Sequence, residues 1–382
     1  MSFRAGKYVQ QPRGFKAFLP ADLPPVPPLT FDAELTKLLS DADRTLGRLD
    51  GVASVLPNPD LFVSMYVKHE AVLSSQIEGT QSTLEDILEF EADAKQHSFP
   101  DDLGEVVNYV AAMRHGIHRL PELPLSLRLI REIHEKLMQG VRGSERQPGE
   151  FRTSQNWIGP AGCNLNTAEF VPPPPHEMNN ALSSFEKFLH EHRELPVLVH
   201  CALAHAQFET IHPFLDGNGR VGRLLITLLL CEREILRQPL LYLSFYLKQR
   251  RTAYYEHLMG IRLRGEWEAW VKFFLKGVFE VSQSATATAR AILELRGQHQ
   301  RMILSSSTSS HTPKLLDLLY QTPILSVATA RDALGCSHST ATSIIAEFVD
   351  LGLLDEITGQ QRNRRWRYTP YLNLFEKQIN RE

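Results

Sequence analysis

Apolar residues recur at steps of three and four along most of this chain, which is the spacing of one face of an α-helix. The pattern begins near Phe31 and is interrupted by segments rich in Gly and Pro. It predicts a mainly α-helical protein. Clear examples are AELTKLLSDADRTLGRL, LFVSMYVKHEAVLSSQIEG, STLEDILEFEADAKQ, GEVVNYVAAMRHGIHRL, SLRLIREIHEKLMQG, HEMNNALSSFEKFLHEH, PVLVHCALAHAQFETI and VGRLLITLLLCEREIL.

Two stretches depart from the helical spacing. The first thirty residues end in PADLPPVPPLT, and the prolines predict an extended lead-in. From Val141 to Pro175 the segments FRTSQNWIGP and AEFVPPPP predict a short β-hairpin flap over an active site. We therefore expect a lead-in at 1–30, an N-terminal helical region at 31–100, a central helical domain with its continuation at 101–300, and a C-terminal domain at 301–382.

The C-terminal domain follows the serine-rich stretch SSSTSSHT. Its pattern is helix, helix, a tight turn at Gly335–Ser337, a further helix and a basic hairpin, which is typical of a winged helix-turn-helix. The hairpin holds four arginines around Trp366, namely Arg362, Arg364, Arg365 and Arg367. Such a wing could contact DNA phosphates, but winged helices also serve as docking or dimerisation modules, and the sequence leaves both roles open.

Composition narrows the class of protein. The formal net charge of −3 argues against a surface that wraps nucleic acid or an anionic membrane. The longest apolar run, Leu224 to Cys231, is much shorter than the ~20 residues of a membrane helix, and the N-terminus lacks a secretory signal. The four cysteines lie far apart, as in reduced cytosolic thiols. We expect a cytoplasmic protein without a membrane partner, and a homodimer remains open.

The chemistry is concentrated in the segment HPFLDGNGRVGR, from His212 to Arg223, between two helices. Gly217 and Gly219 leave backbone N–H groups unshielded, and the helix expected to begin near Val221 directs its positive end into the loop. Arg220 and Arg223 are three residues apart and would share a helix face, where they could grip phosphate oxygens. These features together predict an anion-binding cradle.

Two further side chains of this segment complete a reactive set. Asp216 is an oxygen ligand suited to Mg²⁺, and His212 is a base near neutral pH that could take a proton from an incoming hydroxyl. A lone Gly-x-Gly is usually only a turn, but the whole set makes that interpretation unattractive. A polyphosphate bound together with Mg²⁺ fits this set of side chains.

The segment resembles the signature of the Fic family, His-x-Phe-x-Asp/Glu-Gly-Asn-Gly-Arg-x-x-Arg, at every fixed position. The resemblance implies transfer of AMP from ATP to a Ser, Thr or Tyr hydroxyl of a protein target. It implies that His212 is the base, that Asp216 binds Mg²⁺ and that an in-line attack occurs on the α-phosphate. The expected nucleotide-binding residues are Gly217, Asn218, Gly219, Arg220, Val221, Gly222 and Arg223, with Tyr254 and Tyr255 near the adenine or, equally, in the core.

A second motif resembles the Fic inhibitory pattern Ser/Thr-x-x-x-Glu-Gly/Asn. It runs from Ser74 through Glu78 to Gly79, at the expected end of a helix, and it precedes the loop in the chain. On its own Glu78 would be a solvated carboxylate. The resemblance implies that it pairs with Arg223 and keeps that arginine from the γ-phosphate of ATP, so that the enzyme is inhibited in cis.

Other activities remain open at this point. The same site could remove AMP from a modified protein, with Glu78 activating water, or transfer a phosphate or phosphocholine, although Gly217, Gly219 and Arg223 disfavour a kinase. The chain could also be a DNA-binding regulator that senses nucleotide. The resemblance further implies that the flap from Asn156 to Val171 docks the target by strand addition.

Overall fold

The computed structural model describes residues 4–54, 59–92, 100–160, 162–191, 194–306 and 309–379. Helices account for most of them, as the apolar spacing predicted. The predicted extension of the third helix to Gln96 lies outside the described residues. The N-terminal and central regions contain α1 (Ala33–Ser54), α2 (Pro59–Ile77), α3 (Leu84–Ala92), α4 (Leu103–Arg119), α5 (Leu127–Leu137), α6 (Pro175–His190), α7 (Val197–Ile211) and α8 (Asn218–Glu232).

Helices α7 and α8 form the centre of the fold. Almost every residue of α7 is buried, and α8 is buried over most of its length. A helix that is buried on all sides needs other elements around it. The two helices pack on each other, α6 covers α7, and α4 and α5 cover α8. The segment between α7 and α8 is therefore held by the most rigid part of the molecule.

The chain continues into α9 (Ser244–Gln249), α10 (Arg251–Arg264) and α11 (Trp267–Ser306). With 40 residues, α11 is about 60 Å long and lies along α1. It also contacts α7, where the indole Nε1 of Trp270 donates to the carbonyl of Ala202 at 2.8 Å. This long helix connects the central domain to the C-terminal domain.

The lead-in contains a hairpin that its prolines did not indicate. Strands β1 (Gly6–Gln10) and β2 (Lys16–Pro20) pair antiparallel, with Gly6 opposite Pro20. Residues 21–30 have neither helix nor strand, as expected. The hairpin packs on the protein through Phe18, which is fully buried.

The flap is present between α5 and α6, and its two limbs meet at one antiparallel bridge between Ile158 and Phe170. The N–H of Phe18 donates to the carbonyl of Val171 at 2.9 Å, so β2 extends the flap sideways. Among the described residues of this segment there is no helix. The predicted break in helical structure is therefore correct, although the hairpin is looser than a regular pair of strands.

The C-terminal domain has the element order expected for a winged helix-turn-helix. Gly335 adopts a left-handed conformation in the turn, and Ser337 caps the following helix through the N–H of Thr340 at 3.1 Å. The sheet has the strand order β3-β5-β4 and is antiparallel. The elements are α12 (Thr312–Gln321), β3 (Ile324–Ser326), α13 (Val327–Leu334), α14 (His338–Asp350), β4 (Asp355–Glu356), β5 (Arg365–Arg367) and α15 (Thr369–Ile379).

Two of the four wing arginines face the protein. Arg365 pairs with Glu89 of α3 at 3.3 Å, and Arg367 pairs with Glu85 of α3 at the same distance. These ion pairs attach the domain to α3, the helix that follows the Ser74–Gly79 motif. They also reduce the cationic surface that the sequence suggested for contacting phosphates. Among the described helices, none combines the length and apolar character needed to cross a membrane.

Candidate active site

The segment from His212 to Gly217 connects the C-terminus of α7 to the N-terminus of α8. His212 follows the last residue of α7 in a left-handed conformation, with φ of 50° and ψ of 60°. Gly217 is also left-handed, and α8 begins at Asn218 instead of near Val221. The helix starts earlier than predicted because the left-handed glycine completes the turn. The positive end of α8 therefore lies directly at the Gly-Asn-Gly segment.

Asn218 and Phe214 hold the loop together. Asn218 Oδ1 accepts the N–H of Phe214, and its Nδ2 donates to the carbonyl of Phe214, both at 2.8 Å. The Phe214 ring is fully buried and stacks on His134 with centroids 3.7 Å apart. His134 Nε2 in turn lies 3.0 Å from the carbonyl oxygen of Asp216. Asn218 thus shapes the backbone of the cradle.

His212 as a residue is partly exposed, but its ring atom Nδ1 is buried and has no hydrogen-bond partner among the described residues. Burial, together with the guanidiniums of Arg262 and Arg152, lowers the pKa of His212 to about 3, and Glu78 opposes this shift. The imidazole is therefore neutral at pH 7. A neutral imidazole can accept a proton, which is what a general base requires.

Asp216 is the carboxylate of the loop that could hold a metal ion. Its side chain is about one-third exposed, Oδ1 accepts the N–H of Gly217 at 2.7 Å, and Oδ2 lies 3.4 Å from Arg146. Within the described residues no three His, Cys, Asp or Glu side chains cluster in a way that would hold a metal. A single exposed carboxylate fits Mg²⁺ that keeps its waters and takes substrate phosphates as other ligands.

The two arginines of the loop have different partners. Arg220 is buried, and its Nη1 lies 2.8 Å from Glu105 Oε2 on α4. Arg223 is also buried and bonds to the segment at the end of α2. Although they lie one helical turn apart, both are already bound to acidic side chains.

Arg223 is held by Ser74 and Glu78, the first and fifth residues of the Ser74–Gly79 motif. Its Nε donates to Ser74 Oγ at 2.8 Å, and its Nη2 donates to the Ser74 carbonyl at 3.0 Å and to Glu78 Oε1 at 2.7 Å. Burial disfavours the charged form of Glu78, but Arg223 outweighs this and lowers the pKa of its carboxyl. Gly79 adopts a left-handed conformation just after the motif.

The Glu78 carboxylate also lies against the backbone of Gly219. A Cβ added to Gly219 would overlap Glu78 Oε1 and approach Arg223 Nη1 to 3.0 Å. Gly219 belongs to the first turn of α8, where the helix dipole favours negative charge. Glu78 therefore occupies the position at which this cradle would bind an anion.

The remaining predicted site residues are Val221, Gly222, Tyr254 and Tyr255. Val221 is fully buried in the core, and the carbonyl of Gly222 lies 2.9 Å from His205 Nδ1. The hydroxyl of Tyr254 is 2.9 Å from His205 Nε2, and its ring is buried. Tyr255 is 37% exposed, and partial burial together with the Glu78 carboxylate raises the pKa of its hydroxyl to about 12. Tyr255 is thus the tyrosine of the pair that a nucleotide could reach.

Several residues at the site were missed by the sequence analysis. Arg152 donates from Nε to the carbonyl of His212 at 2.9 Å, and Asn156 Nδ2 donates to the same carbonyl at 3.3 Å. Glu209 lies over Gly222, where a Cβ would overlap its Oε1, and burial raises the pKa of Glu209 to about 7. Arg262 donates to the carbonyl of Glu209 at 3.0 Å. None of these contacts produces a motif that could be recognised in the sequence.

Two protein-family models match the region of the chain that contains this site. Residues 36–118 match the Fic/DOC family N-terminal model, and residues 124–230 match the Fic/DOC family model. Both matches support a similarity of this part of the chain to Fic/DOC family proteins. The loop from His212 to Arg223 lies within the second match.

Curated relatives of the Fic domain are named as adenylyltransferases. A probable protein adenylyltransferase of Aquifex aeolicus is 28% identical over 192 residues, which are 50% of this chain and 56% of that protein. The protein adenylyltransferase Fic of Drosophila grimshawi is 30% identical over 176 residues, which are 45% of this chain and 33% of that protein. The chain thus spans about half of the first relative and a third of the second.

Solved structures share the fold of this protein. A Fic family protein from Desulfovibrio desulfuricans G20 has a TM-score of 0.59 at 21% identity, covering 89% of this chain and 97% of that one. A Fic domain containing signaling protein from Bacteroides thetaiotaomicron has a TM-score of 0.52 at 16% identity, covering 68% and 97%. At these identities the likeness concerns the fold.

Proposed function

We propose that this protein transfers AMP from ATP to a Ser, Thr or Tyr hydroxyl of a protein target, itself included. The observation that supports this most strongly is the placement of a neutral imidazole, His212, beside an anion cradle formed by Gly217 and the first turn of α8. The names of the curated relatives support the same reaction.

The reaction needs positioning and charge neutralisation more than covalent help from the protein. ATP lies with its polyphosphate along the Gly-Asn-Gly backbone, and Arg223, once it is free of Glu78, faces the distal phosphates. Arg220 stays buried on Glu105 and supports the start of α8. The hydroxyl oxygen attacks the α-phosphorus, its proton passes to His212, and pyrophosphate leaves in line. Mg²⁺ held by Asp216 and by phosphate oxygens would neutralise charge during this step.

Glu78 inhibits this reaction in the state described. Its carboxylate bonds to Arg223 and lies on Gly219. The γ-phosphate of ATP therefore cannot pair with Arg223, and the space over Gly219 that it would occupy is filled. ATP that binds in spite of this is displaced along the loop and presents the wrong geometry for attack. Release of Glu78 restores the productive position.

The test uses the whole chain with ATP labelled at the α- or the γ-phosphate, alone and with a cell lysate. We expect label from α-labelled ATP on protein, more with Glu78→Gly than with the parent, and none with His212→Ala. Label from γ-labelled ATP instead would indicate a kinase and refute the proposal. An absence of label with Glu78→Gly, together with loss of AMP from a previously modified protein when the parent chain is added, would favour removal of AMP.

A further inference from the structure

The end of α7 carries His212, and its last carbonyl groups have no partners within the helix. The guanidiniums of Arg262 and Arg152 donate hydrogen bonds to the carbonyl groups at this end. Arg262 of α10 donates from Nη2 to the carbonyl of Glu209 at 3.0 Å and from Nε to Thr210 Oγ1 at 3.2 Å. Arg152 donates from Nε to the carbonyl of His212 at 2.9 Å and from Nη2 to that of Ile211 at 3.4 Å.

These contacts hold a backbone conformation that is rare outside glycine. His212 has a φ of 50°, and a side chain there persists only where its surroundings enforce it. The backbone N–H of Arg152 also donates to the carbonyl of Pro213 at 2.9 Å, so both sides of His212 are bound to the same residue. Arg152 and Arg262 are 1% and 7% exposed, and solvent does not compete for these bonds.

The same two arginines reach the flap. The Nη2 of Arg152 donates to the carbonyl of Pro173, where the flap ends, at 2.6 Å. The guanidinium carbon of Arg262 lies 3.8 Å from the ring centroid of Phe170, which pairs with Ile158 in the flap bridge. The position of the flap and that of the His212 ring are therefore connected through two buried side chains.

We propose that Arg152 and Arg262 are positioning residues that hold the imidazole of His212 for its reaction with the target hydroxyl and link it to the flap. This inference rests on the function proposed above. A docked segment that shifts the flap would act on His212 through these guanidiniums.

The charges that face the imidazole are consistent with this role. They are Arg262 on α10, Arg152 beside the flap and Glu78 at the end of α2. Burial and the two guanidiniums lower the pKa of His212, whereas Glu78 raises it. The positioning residues thus also keep the base unprotonated, and removal of Glu78 strengthens that effect.

The test compares Arg152→Met, Arg262→Met and the charge-retaining Arg152→Lys and Arg262→Lys in the full chain that carries Glu78→Gly. Self-labelling from α-labelled ATP gives the rate, calorimetry gives the ATP affinity, and the histidine NMR signal lost in His212→Ala gives the imidazole pKa. We expect each Met variant to lose about tenfold or more in rate with ATP affinity unchanged. In each Met variant the pKa of His212 should rise, so that the rate falls at acidic pH where the rate of the parent does not. The matching Lys variant should partly reverse both changes.

Arg233→Met is the matched control, because Arg233 donates to the carbonyl of Leu189 at the end of α6, away from His212, at 2.7 Å. It should leave the rate and the His212 pKa unchanged. If a Met variant does not fold, the Lys variants decide: a lower rate at equal ATP affinity supports the inference, and an unchanged rate overturns it. Unchanged rate and pKa in folded Met variants also overturn it. If Glu78→Gly labels nothing, the proposed function fails, and the NMR titration alone still decides whether these arginines control His212.

Discussion

Replacing Glu78 by glycine should raise the rate of AMP transfer, and the structure sets the size of the effect. Glu78 holds Arg223 through one hydrogen bond of 2.7 Å, and its side chain is 34% exposed. A hydrogen bond to a charged group stabilises by about 1.5–3 kcal/mol, and partial exposure places this one near 2 kcal/mol or below. At about 1.4 kcal/mol per tenfold, the variant should be about 10- to 30-fold faster.

The substitution leaves the rest of the site in place. Glu78 follows the end of α2, so a glycine there does not interrupt a helix. Arg223 keeps its two bonds to Ser74, at 2.8 and 3.0 Å, and remains directed at the cradle. Arg223 therefore becomes available to phosphate without losing its position.

The assay is the initial rate of self-labelling from α-labelled ATP at saturating nucleotide, with ATP affinity measured by calorimetry. Glu78→Gln, which keeps the shape but loses the charge, should lie between the parent and Glu78→Gly. The double variant Glu78→Gly/His212→Ala should not label. Equal rates for the parent and Glu78→Gly would refute the inhibitory role.

Three further predictions concern the packing around the site. Gly219→Ala should prevent labelling even with Glu78→Gly, because the added methyl fills the cradle; calorimetry should show weaker ATP binding, and unchanged binding would contradict this. Phe214→Ala should lower the free energy of unfolding by about 3–5 kcal/mol, since the ring is fully buried against His134, and a loss under 1 kcal/mol in urea titration would be inconsistent with that packing. Burial raises the pKa of Glu70 from 4.5 to about 7, so the folded state keeps a proton that the unfolded state releases in this window, and stability falls as pH rises through it. The stability of Glu70→Gln relative to the parent should therefore increase by about 3 kcal/mol between pH 4.5 and 7, and a difference that does not change with pH would contradict the assignment.

The parts of the site that the sequence predicted are those contiguous in the chain. His212, Asp216 and Gly217 lie within one loop, so their types and order alone indicated a base, a metal ligand and an anion cradle. The contact of Arg223 with Glu78 joins residues far apart in sequence. It was predicted because a second motif resembles a known pattern, and spacing alone would not have shown it.

The parts that the sequence did not predict depend on tertiary packing. Arg152 and Arg262 act on His212 through backbone carbonyls, and any residue type can supply a carbonyl. Arg220 was expected to face phosphate, but it is paired with Glu105 of α4. That pairing depends on how α4 packs on α8, which the sequence does not show. The N-terminal hairpin could have been recognised, since the turn signal Pro-Arg-Gly at residues 12–14 separates two short runs that contain aromatic and β-branched residues.

A crystal structure of Glu78→Gly with Mg²⁺ and a non-hydrolysable ATP analogue would show how the loop from His212 to Arg223 holds a triphosphate. We expect the polyphosphate on the backbone N–H groups of residues 217–219, the γ-phosphate on Arg223 and the α-phosphorus facing the His212 imidazole. A nucleotide bound elsewhere, or one whose α-phosphorus is turned away from His212, would contradict this expectation.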